Sequence, residues 1–270
     1  MLMTMHRIDP NVSPDDCLKI LNAAYHENLG MPSKLSADLE VTCLVNKLRN
    51  IFGLSDAVFY DTDDNFFPDY ARILEELESK IPDTGLRISS LVGKSVDEII
   101  AKASTSNDAS EMMAYRYALQ ALNPFAITGL DYSPRNQDGE LDLYNRLTGK
   151  GEITESWLAD RAAMLERLMV ENSRVIDIPF SGDNNRYIDL ATGIVLEDNL
   201  EPGTDSVIQF GGAGNDLLGS FTGDAGDSSR LYGGAGDDDL LDSLGDDYLE
   251  GGTGFDRYFV GAGQDTILDA

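Results

Sequence analysis

Histidine, cysteine and tryptophan are nearly missing from this chain of 270 residues, which holds only His6 and His26, Cys17 and Cys43, and Trp157. Neither histidine lies in an HExxH motif, so a zinc peptidase site of that kind is excluded. The cysteines show no CxxC spacing, which leaves neither a disulfide framework nor a cysteine zinc site; they read as two small buried hydrophobes. Basic residues are also scarce, 20 Lys and Arg against 48 Asp and Glu, giving a net charge of −28. Nucleic acids and anionic membrane surfaces both require cationic patches and are poor partners for such a chain. No window approaches the roughly 18 apolar residues of a membrane span, and the opening MLMTMHRIDPNVSPDD has no apolar run of leader length. No serine stands in GxSxG, the usual signature of a serine hydrolase elbow.

Two near misses are better read structurally. Gly93-Lys94-Ser95 ends like a phosphate-binding loop, but Ile88 stands where that loop needs its first glycine, and Ser95 suits a helix cap. Asp61, Asp63 and Asn65 open like an EF-hand, yet Phe66 replaces the turn glycine and Arg72 the bidentate glutamate, so a solvated acidic loop is expected.

What is present, at 42% hydrophobic content, is enough for one or two domains with a real core. Helix punctuation fills the first 180 residues. Ser13, with Pro14 and Asp16 behind it, opens a helix bearing Leu18 and Leu21 and followed by Gly30; a second after Ser36 carries Leu39, Cys43, Leu44, Leu48 and Ile51 before Gly53. A short third runs near Asp69 to Lys80. Ser95 and Glu98 form a capping box before Ile99, Asp108 and Glu111 imitate one before the run from Tyr115 to Leu122, and Asn123-Pro124 ends that run. Thr154 caps a last helix bearing Leu158, Ala162, Leu165 and Met169. The period then changes, and Tyr187–Leu190 with Ile194–Leu196 read as a hairpin. The expected organisation is a helical region over 1–180, a hairpin and linker over 181–204, and a distinct segment over 205–270.

That last segment is set apart by composition. Residues 201–270 hold 15 acidic and 2 basic residues and 16 of the 26 glycines, so negative charge is about 2.5 times denser there than upstream. The cause is a period of nine. Gly211–Gly219, Gly233–Leu241, Asp242–Glu250, Gly251–Phe259 and Val260–Leu268 align with glycine always fourth (Gly214, Gly236, Gly245, Gly254, Gly263) and aspartate always sixth (Asp216, Asp238, Asp247, Asp256, Asp265). The eighth position is Leu218, Leu240, Leu249, Tyr258 or Ile267. Thirteen residues, Ser220–Tyr232, separate the first two blocks where nine are expected; Leu231 keeps the apolar place, but Ser229 occupies that of the aspartate.

Residue type suggests the chemistry. Glycines permit positive φ and tight curvature that turns carbonyl oxygens into a loop, and aspartate adds a short anionic ligand. Hard oxygen donors without histidine or cysteine select calcium over zinc or copper, and the remaining residues of each unit suffice for a short strand with its central side chain inward.

These blocks resemble the GGxGxDxUx nonapeptides of RTX proteins, and Asp238 to Asp256 fits the hemolysin-type calcium-binding signature throughout. The resemblance implies an α+β chain: the helical region followed by a right-handed parallel β-roll with two units per turn. It implies about three Ca2+ ions, one shared by Asp238 and Asp256, one by Asp247 and Asp265 on the opposite side and a third by Asp216 and Asp238, completed by carbonyls of Gly211, Gly233, Gly251 and their neighbours. Asp242, Ser243 and Val260 replace family glycines, implying weaker sites in those blocks. Upstream, Tyr115 to Arg161 resembles the segment preceding the repeats in large secreted RTX proteins, some toxins and some with hydrolase domains, and supplies no catalytic residue.

Few apolar side chains per unit and a net charge of −13 leave the tail expanded without calcium. The resemblance implies a type I secretion partner, an extracellular location without a cleaved leader, and folding gated by export. Family export signals lie C-terminal to the repeats, whereas this chain stops at Ala270, which is expected of a fragment or of a different export route. Two function classes follow: a non-enzymatic calcium-binding module of a toxin-like exoprotein, or the C-terminal portion of a lipase-like hydrolase.

Overall fold

The computed structural model describes residues 1–24, 36–57, 66–83, 85–172, 185–196, 206–219 and 228–269, with side chains omitted for 36–40 and 66–69. His26, Gly30 and the acidic loop at Asp61–Asn65 therefore lie outside the described residues. The chain is α+β, with its helices upstream and a parallel β-solenoid downstream. It divides into two compact units: among the described residues, 1–132 with 165–172 form the first, and 133–164 with everything from 185 onward form the second.

The first unit contains α1 (Leu2–Ile8), α2 (Pro14–Ala23), α3 (Ser36–Ile51), α4 (Phe66–Glu78), β1 (Arg87–Ser90), α5 (Val96–Ser104), α6 (Ala109–Gln120) and β2 (Phe125–Thr128). Its caps are those the sequence signals. The Ser13 side chain accepts from Asp16 N, Ser95 and Glu98 form a full capping box, and Asp108 accepts from Ser110 N and Glu111 N. Met5, Ile8, Cys17, Ile20, Leu44, Leu48, Ile51, Leu77, Phe125 and Ile127 share one core, so most of the helical stripes are core faces and Cys17 is a buried hydrophobe; Leu18, however, is exposed, and Cys43 is only half-buried. The antiparallel pair β1–β2 is an addition to the helical reading. Each strand is only four residues long, too short to show a period, and the pair is anchored by the buried Asp9 carboxylate, which accepts from Ile88 N at 3.0 Å.

The second unit begins with the polar stretch after Tyr132 and the first ten residues of α7 (Glu155–Asn172), capped by the Thr154 hydroxyl on Trp157 N. Then come β3 (Arg186–Asp189), β4 (Ile194–Leu196), β5 (Ser206–Phe210), β6 (Leu217–Gly219), β7 (Ser228–Ala235), β8 (Asp239–Leu241), β9 (Tyr248–Thr253), β10 (Arg257–Phe259) and β11 (Thr266–Leu268). β3 and β4 form the expected antiparallel hairpin. It is also part of the solenoid, because β3 pairs in parallel with β5.

From β5 onward strands alternate between two parallel sheets, β5-β7-β9-β11 on one side and β6-β8-β10 on the other. Two nine-residue units thus make one coil, and residues 18 apart stack in register, Thr266 on Tyr248 and Arg257 on Asp239. Across the insertion the offset is 22, so Leu217 stacks on Asp239 and the extra residues leave the register intact. Leu218, Leu231, Leu240 and Leu249, all at the eighth place, are fully buried between the sheets with Tyr258 packed against them. Period two inside each short strand turns that one residue inward. Ile267 holds the same place in β11, the edge strand of its sheet, and is 47% exposed.

The outer face of the larger sheet is covered as well. Phe210 stacks on Tyr232 at 5.1 Å, Tyr232 packs on Tyr248 at 5.8 Å, and Trp157 of α7 meets Phe210 edge-on at 6.2 Å. Arg161 lies over both the Trp157 and Phe210 rings and pairs with buried Asp189 at 2.7 Å. The Thr154 hydroxyl and the Tyr248 hydroxyl both donate to buried Glu250 at 2.8 Å. Burial pushes the Glu250 carboxyl up to about 7. No helix among the described residues is long and apolar enough to cross a membrane.

Candidate metal centre

In the five described turns of the repeat blocks, glycine holds the fourth place, at positive φ in three of them (Gly236 +124°, Gly254 +137°, Gly263 +137°), and the sixth-place aspartate stands at the mouth of the next strand. A Cβ at Gly254 would overlap the carbonyl oxygen of Gly236 in the coil before, and one at Gly263 that of Gly245, so the turns nest too closely for any side chain.

The sixth-place aspartates form two columns, one per side of the solenoid. On the side leading into β6, β8 and β10 stand Asp216, Asp238 and Asp256. Asp216 N donates to Asp238 Oδ1 at 2.7 Å, and Asp238 N to Asp256 Oδ1 at 2.9 Å. Each carboxylate folds back over the glycine that opens its own block: a Cβ at Gly233 would overlap Asp238 Oδ2, one at Gly251 would overlap Asp256 Oδ2, and Gly211 lies close to Asp216 Oδ2. Gly211, Gly233 and Gly251 thus meet the aspartates with which the sequence groups them.

The second oxygens are the telling atoms. Among the described residues, Oδ2 of Asp238 and Oδ2 of Asp256 are sealed from solvent with no hydrogen-bond donor, and Asp238 is 0% exposed overall. A buried acceptor without a donor costs about 1–3 kcal/mol, more when charged. The surroundings disfavour the charge further: burial first, then the neighbouring Asp256, Asp216 and Asp237, push the Asp238 carboxyl up to about 6. Burial, with Asp269 and Asp237 adding, raises Asp256 too. These oxygens call for a cation or a proton.

On the opposite side, Asp247 N donates to Asp265 Oδ1 at 3.2 Å, so these two also stack. Sequence reasoning discounted Asp242 as a lost glycine. The structure places its carboxylate with those of Asp247 and Asp265, one oxygen from each lying within 4.8 Å of the others. Burial, and then Asp247 and Asp265, raise the Asp242 carboxyl. A usable signal was present in the sequence, since Asp242 holds the first place of its block, the position over which the sixth-place carboxylate folds on the other side. One column ends differently: where β7 begins, Ser229 stands in place of an aspartate and bonds to Asp247 through both its amide and its hydroxyl.

Outside the aspartate columns a further ladder is purely structural. Asp237 N donates to Asn215 Oδ1, Phe255 N to Asp237 Oδ1 and Gln264 N to Asp246 Oδ1, while Arg257 pairs with Asp239 one coil away. Among the described residues, the columns are built from aspartate and serine side chains. No family model matches this chain, no curated protein matches it, and no solved structure matches it.

Proposed function

We propose that the C-terminal solenoid is an RTX-type β-roll that binds about three calcium ions and folds when it meets them outside the cell. The carrying observation is the pair of buried, donorless oxygens, Oδ2 of Asp238 and Oδ2 of Asp256. A column of stacked carboxylates lined by glycine carbonyls, without nitrogen or sulfur donors, suits a hard divalent cation with a flexible oxygen shell.

Asp216 with Asp238 would hold one ion, Asp238 with Asp256 a second, and Asp247 with Asp265 and Asp242 a third, with carbonyls of Gly211, Gly233 and Gly251 contributing on the first side. Bound calcium would neutralise these carboxylates and link successive coils. Three ions change the tail from −13 to about −7. That adds free energy to what the apolar side chains buried between and outside the sheets supply. Extracellular modules bind calcium at roughly 10⁻⁴ to 10⁻³ M, far above cytosolic levels, so the tail stays expanded during synthesis and export through a type I channel and folds afterwards.

The test is to count ions on the whole chain by native mass spectrometry and calorimetry. About three calcium ions are expected. Because Asp238 serves two sites, Asp238→Asn should remove two of them and raise the calcium midpoint at least tenfold. An unchanged count in that variant would overturn the assignment of the ligands.

A further inference from the structure

The two columns contain four places where residues one coil apart face each other at the sixth position: Asp216 with Asp238, Asp238 with Asp256, Asp247 with Asp265, and Ser229 with Asp247. The last differs from the others in a way the repeat pattern does not reveal. Asp247 Oδ1 accepts from the Ser229 amide, from the Ser229 hydroxyl at 2.7 Å and from the Ser243 hydroxyl at 2.8 Å. Its Oδ2 accepts from Ser243 N at 3.0 Å. A carboxylate oxygen has two lone pairs, so three donors leave Oδ1 no capacity for a cation. All three residues are buried, Ser229 at 0%, Asp247 at 3% and Ser243 at 6% exposure. Asp238, one half-coil before Asp247, presents the opposite condition, a buried oxygen with no donor at all.

We infer that Ser229 and Ser243 take the place of a cation between the β7 and β9 turns, so that this one junction of the solenoid closes by hydrogen bonds and without metal. The inference rests on the calcium reading of the other three places and specifies which positions are excluded from it. Ser229 leads out of the inserted stretch and Ser243 holds the second place of a block, normally glycine. Both departures from the repeat therefore serve one carboxylate. A junction closed by hydroxyl donors has no calcium dependence of its own, and it adds stability to the β7 and β9 coils once the neighbouring ions have folded them.

The proposal is tested on the whole chain with calcium alone as the probe. Ser229→Asp restores a facing carboxylate pair and should raise the count from three ions to four. Ser229→Ala should keep three ions while lowering the melting temperature in saturating calcium by several degrees, since it removes a hydroxyl donor and no ligand. Four ions on the unaltered chain, loss of an ion in Ser229→Ala, or a well-folded Ser229→Asp chain still holding three would overturn the proposal. A count of zero on the unaltered chain is a different result: it overturns the calcium reading itself and this junction's distinction with it.

Discussion

Asp238 states the problem of this molecule in one side chain: a fully buried carboxylate whose Oδ1 is paired and whose Oδ2 is not. Its raised value, about 6, gives a pH dependence with a definite sign. In the calcium-free chain the folded form binds more protons than the unfolded form between about pH 4 and pH 6, so calcium-free stability should rise as pH falls through that window. Calcium affinity should do the reverse, since protons compete for the same oxygen. The β signal by circular dichroism in chelator at pH 7.5 and 5, beside calorimetry at the same two pH values, checks both; parallel rather than opposed trends would contradict the role assigned to Asp238. The sixth-place aspartates were legible because spacing alone exposes them. The part played by Ser229 was not, because it breaks the repeat and finds Asp247 18 residues away, a proximity set by coil stacking; Asp242 was partly legible, since Asp247 lies in its own block, but Asp265 is 23 residues away.

At the scale of elements, the nine-residue unit is a glycine turn, closed to side chains at Gly236, Gly254 and Gly263, joined to a strand that buries one side chain. Gly254 has φ +137° and its absent Cβ would overlap Gly236 O, so Gly254→Ala should cost at least about 2 kcal/mol, read as a lower urea midpoint in saturating calcium. The buried leucine column was readable from the eighth place, as were the helix caps at Ser13, Ser95 and Thr154, because a cap is chemistry within three residues. What α7 packs against was not readable, since an apolar helical face does not name its partner. The structure sets Trp157 on Phe210 and joins Thr154 and Tyr248 at Glu250. Trp157 is the sole tryptophan, so its fluorescence reports directly on the outer face of the larger sheet. If calcium builds that sheet, adding it to the whole chain should shift Trp157 emission to the blue with the same midpoint as ion binding, and Phe210→Ala should remove most of the shift while leaving the ion count unchanged.

At the scale of the whole chain, a net charge of −28 separates into an acidic surface upstream and a concentrated charge wound into two columns of carboxylates. The second part is self-repelling unless cations enter the columns, which makes the ionic environment a condition of the fold. In the proposed reading, the charge that makes nucleic acids and anionic membranes poor partners serves as a calcium ligand set. The most direct measurement is far-ultraviolet circular dichroism of the whole chain, titrated with calcium against a magnesium control. The account predicts a gain of β signal that saturates by several millimolar calcium, with a midpoint near 10⁻⁴ to 10⁻³ M, and no comparable gain with magnesium. A spectrum unchanged by several millimolar calcium would contradict it.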